Sequence, residues 1–191
     1  DSVSKTNYAD EINTFSNLAD ILVVYPEDDL VQRTLSMSAF ELKTIFHLNE
    51  LFFEKIDDNG PFGSNYDLRS DFKERWQVFS NINQSILDTV HIGAFYIGEE
   101  PTWNGITFSD LNQVSELLKA EYPSIPLMII EAYPSLIDLR VPKLVDWVGF
   151  DRYFIKNPNE DLEFQQHWTT LKSKLSNPSQ KIMMIMDSHY I

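Results

Sequence analysis

Six short apolar runs, separated by stretches whose apolar residues recur at helical spacing, constrain this chain's fold more than any other feature. The runs lie at residues 21–25, 43–48, 91–97, 127–130, 147–150 and 181–186. Each has the length of a strand and is short for a buried helix. Between them, Tyr8, Ile12, Phe15 and Leu18 predict a helix over 7–18. Phe72, Trp76, Phe79, Ile82 and Ile86 predict a long one over 68–87. Leu111, Val114, Leu117 and Leu118 predict a third that starts near a cap at Ser109. Phe164, Trp168, Leu171 and Leu175 predict a fourth over 162–175. The segment 57–63, Asp-Asp-Asn-Gly-Pro-Phe-Gly, is dense in turn formers and predicts a long loop.

Strands that alternate with helices must each be re-entered from the same end, so they pair in parallel. An open doubly wound sheet and a closed barrel both meet that condition. No glycine-rich phosphate loop follows the first strands, which removes the simplest nucleotide-binding reading. Acidic residues follow several different strands, and a barrel mouth collects side chains from all of its strands. The expected class is therefore α/β, a single (β/α) TIM-type barrel domain over residues 1–191. A full barrel has eight strands in roughly 250 residues. About six strands in 191 residues predict an incomplete one. The end at Asp187-Ser188-His189-Tyr190-Ile191, directly after a strand, predicts one strand missing before Asp1 and one unit after Ile191.

Composition narrows the partners. A hydrophobic fraction of 43% supplies a core and excludes a disordered chain. A formal charge of -14 argues against a nucleic-acid partner, which would need clustered Lys and Arg. With no cysteine there is no disulfide, CxxC zinc site or thiol nucleophile. No apolar run approaches the roughly 18 residues of a membrane span. The start at Asp1-Ser2-Val3 fits a processed chain, secreted or periplasmic, and fits trimming equally. The oligomeric state is not set by the sequence.

The segment richest in chemistry is Gly98-Glu99-Glu100-Pro101-Thr102-Trp103. A buried strand ends at glycine, presents two carboxylates, turns at proline and offers an indole face on which a sugar can stack. Glycosidic cleavage needs a proton donor at the leaving oxygen and a second carboxylate as nucleophile or base. The donor keeps its proton near neutral pH only if it is buried or faces another negative charge. Glu99 supplies that charge if it faces the same site, although adjacent residues of a regular strand point oppositely.

The Glu100-Pro101 pair resembles the Asn-Glu-Pro signature of the large glycoside hydrolase clan with (β/α)8 barrels. There the Glu before Pro is the acid/base at the end of strand four. The resemblance implies that Glu100 is the acid/base and that Glu99 stands where the clan has the Asn contacting the sugar 2-hydroxyl. Val145-Asp146-Trp147-Val148-Gly149-Phe150-Asp151-Arg152-Tyr153 resembles the clan's sixth strand. Asp187 then falls where the seventh delivers the nucleophile, an Asp in place of the clan's Glu. Glu131, closing the run 127–130, is an alternative partner. Glu99, Trp103, Asp151, Tyr153 and Asn49 are the expected sugar-binding residues.

Three readings follow. The first is a glycosidase with no cofactor, using Glu100 and either Asp187 or Glu131. The second is a barrel that binds carbohydrate without cleaving it. The third is a metal-dependent hydrolase with His47 and His189 beside Asp187 or Glu131. No HxH or HExxH spacing supports the third, so no metal is expected.

Overall fold

The computed structural model describes residues 9–185. In chain order its elements are α1 (Ala9–Ile12), β1 (Leu18–Leu22), α2 (Val31–Ser38), β2 (Lys43–His47) and α3 (Asn49–Phe52). Then come β3 (Phe53–Gly60), β4 (Gly63–Leu68), α4 (Phe72–Asn83), β5 (Ile92–Glu99) and α5 (Phe108–Glu121). The rest are β6 (Leu127–Ala132), β7 (Trp147–Asp151), α6 (Leu162–Lys174) and β8 (Lys181–Met184). Six strands form one parallel sheet in the order β1-β2-β5-β6-β7-β8, the sequential winding of a barrel wall rather than the reversing order of a doubly wound sheet. The architecture is an α/β partial barrel, as the alternation of runs predicts.

The sheet's two faces are filled differently. Ile21, Phe46, Phe95, Ile97, Leu127, Ile129, Val148 and Phe150 belong to the large core that packs beneath the helices. Ala94, Tyr96 and Met128 form a smaller cluster on the other face, with Ile45, Ile130, Trp147 and Met183 against it. That second set is the inward-pointing layer of a barrel wall. Alternation along a strand sets which side chains face the mouth, except where β5 breaks its ladder between Tyr96 and Gly98.

Four local readings need correction. The helix expected over 7–18 is helical only at Ala9–Ile12 among the described residues. Chain 18–22 is instead β1, because Leu18 starts the parallel ladder opposite Lys43. The segment 57–63 is not a loop but the end of an antiparallel hairpin, β3–β4, turning at Pro61-Phe62 with Gly63 at φ 122°. The hairpin's strands are polar, so no apolar alternation announces them. It also shortens the helix expected from residue 68, since Leu68 closes β4 and α4 starts at Phe72. Helix α5 is capped by Thr107, not Ser109: the Thr107 hydroxyl accepts from the Asp110 amide at 3.2 Å. Among the described residues no helix is long and apolar enough to cross a membrane.

Candidate active site

Strand β5 builds the site through a break in its own ladder. Its pairing with β6 shifts register between Tyr96 and Gly98. Ile97 and Gly98 therefore both face the helix layer; a Cβ on Gly98 would lie 3.1 Å from side-chain atoms of Leu111 and Ile129. The extra residue returns Glu99 to the inner face beside Tyr96, whose hydroxyl donates to Glu99 Oε2. Bulges re-aim side chains in this way near functional sites. Glu100 then adopts φ 46°, a left-handed conformation that non-glycine residues rarely take, and its amide donates to Ile130 O at 2.7 Å. Through the bulge and this turn, adjacent carboxylates share one site.

From β7, Trp147 and Gly149 alternate inward, and Asp151 follows them into the mouth with 6% of its surface exposed. Asp151 accepts a hydrogen bond from the Tyr153 hydroxyl at 2.9 Å and hydrogen-bonds the Glu100 carboxyl. Burial, the Asp151 charge and that hydrogen bond, with smaller help from Glu99 and Glu131, push the Glu100 pKa up to about 7. Burial also raises Glu99, with His47 opposing and Asp151, Asp20 and Glu131 adding to it. The Tyr153 hydroxyl is pushed up to about 12, chiefly by its bond to Asp151.

Glu100, Trp103, Ala132, Tyr133, Pro134, Asp151 and Tyr153 line one cleft of about 260 Å³. Trp103 stacks on Phe62 at the hairpin tip, ring centroids 4.4 Å apart and planes 7° from parallel. The hairpin is fixed there, since Tyr66 N donates to Asn104 O at 2.8 Å.

The remaining expected residues lie deeper or elsewhere. Asn49 is buried below the rim, where its Oδ1 accepts from the Glu99 amide at 3.3 Å. Glu131 is fully buried and follows Leu127 and Ile129 on the outer face, directed at the β5–α5 turn rather than the mouth. Asp187 and His189 lie outside the described residues. His47 stacks on Tyr96 with centroids 4.2 Å apart, and its Nδ1 lies 3.7 Å from Asp20 Oδ2. Among the described residues no group of three or more His, Asp and Glu is arranged to hold a metal ion. Sequence reading missed Phe62, Tyr96 and Tyr133. Tyr96 was findable, two residues from Ala94 on the inner face; Phe62 required the unseen hairpin.

No protein-family model matches the sequence, and no curated protein matches it. Solved structures do. A GH113 β-1,4-mannanase superposes with a TM-score of 0.57 at 13% identity, over 94% of this chain and 65% of that one. Saccharomyces cerevisiae Gas2p superposes with a TM-score of 0.55 at 10% identity, over 91% of this chain and 37% of that one. This chain thus spans less than two thirds of either neighbour. Both are (β/α)-barrel glycoside hydrolases. By fold, this chain is a large part of a barrel of the kind found in those enzymes.

Proposed function

We propose that this chain carries the acid side of a glycoside hydrolase site, with Glu100 as general acid toward a glycan held in the 260 Å³ cleft. The observation that carries the reading is the Glu100 carboxyl at the cleft. It is pushed up to about 7 and hydrogen-bonded to Asp151. Below that pH Glu100 holds a proton, and a glycosidic oxygen entering the cleft takes the place of Asp151 as its acceptor. Once the proton is given away, the Glu100 carboxylate faces Asp151 and Glu99, and that repulsion favours its reprotonation. Trp103, Tyr133 and Tyr153 supply flat apolar faces with polar edges for sugar rings.

Asp187, which follows β8 in sequence, is the partner carboxylate in this reading. The oxygens of Glu131 are engaged elsewhere. That engagement also favours a second reading, a barrel that binds glycan without cleaving it, because it leaves Asp187 as the remaining nucleophile among the expected residues. Release of reducing ends from a panel of polysaccharides by the full chain, beside Glu100→Gln, separates the two. Turnover lost in the variant supports the glycosidase. Binding without turnover in the wild type supports the second reading.

A further inference from the structure

Glu131 is buried, and its hydrogen-bond partners among the described residues are uncharged. Its Oε2 accepts from the Thr102 amide at 2.8 Å. Its Oε1 accepts from the Trp103 amide at 3.2 Å, the Ala132 amide at 3.0 Å and the Ser135 hydroxyl at 2.7 Å. Three of these partners are backbone amides, which can only donate and so suit a carboxylate, while the Ser135 hydroxyl also lies 2.8 Å from Ala132 O. Two of the amides belong to the turn immediately after Glu100-Pro101, and that turn holds Glu100 at φ 46°. A residue before proline is pushed toward extended backbone, so this conformation needs outside support. The same turn carries Trp103 to the cleft.

We propose that Glu131 is a positioning residue: its carboxylate clamps the Pro101–Trp103 turn from beneath and thereby aims the Glu100 carboxyl and the Trp103 ring into the cleft. The inference rests on the glycosidase reading for its consequence, but the clamp is testable apart from it. Among the described residues, Asp151 and Glu99, and Glu131 from beneath, act electrostatically on Glu100, which in turn acts on Tyr153.

Two full-chain variants separate length from charge. Glu131→Gln keeps the length, loses the charge and turns an amide N–H₂ toward a donor. Glu131→Asp keeps the charge and withdraws it from the turn. Each is expected to lower kcat about 10²-fold, as small misplacements of a reacting group do, with KM within a few-fold. Failure of Glu131→Asp to rescue marks positioning; rescue by Asp would overturn the clamp in favour of a pure charge effect. Ser135→Ala removes one of the four donors and covers the case in which neither Glu131 variant folds. A kcat about threefold lower at unchanged KM supports the clamp, and an unchanged kcat overturns it. If the wild type binds glycans without cleaving them, the glycosidase reading fails alone. The clamp is then decided by ¹³C-detected titration of Glu100 in Glu131→Asp, which keeps the charge: a moved midpoint supports the clamp, and an unmoved midpoint in the folded variant overturns it.

Discussion

Glu100 combines three costs at one position: left-handed backbone, partial burial and the neighbouring carboxylates of Asp151, Glu99 and Glu131. A non-glycine residue in that conformation gives up about 1–2 kcal/mol. The proton linkage has a definite sign. The folded-state pKa, about 7, lies above the ordinary 4.5, so the folded chain holds this proton more tightly than the unfolded one. The stabilisation from that proton is complete below pH 4.5 and is lost as pH rises through about 7. Glu100→Gln, which keeps the shape without the charge, should therefore gain stability over wild type at pH 8 and not at pH 4, as urea midpoints at the two pH values will show. Asp151→Asn removes the charge beside Glu100 and offers its carboxylate an amide donor, so the alkaline limb of any activity should move to lower pH. Much of this site was legible as residue types: carboxylates and aromatics at strand ends. The facing of those residues was not. Glu99 reaches the mouth through a bulge, and Glu131 leaves it by strict alternation after Leu127 and Ile129. Both depend on register, which a single sequence does not display.

At the scale of elements, α4 and the hairpin do separate jobs. Helix α4 places Trp76 among Phe52, Phe79, Phe95 and Tyr122, with its indole N–H donating to Glu121 Oε2 at 3.0 Å. Trp76→Ala should cost about 3–5 kcal/mol in urea unfolding, because it empties the largest fully buried side chain and orphans a carboxylate contact. Phe62 at the hairpin tip stacks on Trp103. Phe62→Ala should cost about 0.5–1.5 kcal/mol in urea unfolding, the contribution of the stacked pair. It should raise KM for a glycan a few-fold at unchanged kcat, since stacked aromatic pairs contribute about 0.5–1.5 kcal/mol. The apolar strands and long helices could be read because burial imprints a period on them. The hairpin 53–68 carries little such imprint: β3 is mostly polar and pairs with β4 in a separate two-stranded sheet.

For the whole molecule, the parallel sheet brings chain ends of strands far apart in sequence to one rim. Asp20, His47, Glu131 and Asp151 come from four other strands and all act on the electrostatics of one carboxylate, Glu99 of β5. A net charge of -14 adds self-repulsion to the folded state, so the thermal midpoint should rise from low to moderate salt. The barrel class followed from six alternating runs, while the sugar chemistry rested on a few residues around Glu100-Pro101. The most direct test of that chemistry is the pH dependence of kcat/KM for glycan hydrolysis by the full chain, with Glu100→Gln measured in parallel. A fall in activity above pH about 7, together with loss of turnover in Glu100→Gln, is the predicted result. Wild-type turnover in Glu100→Gln would contradict Glu100 as the acid.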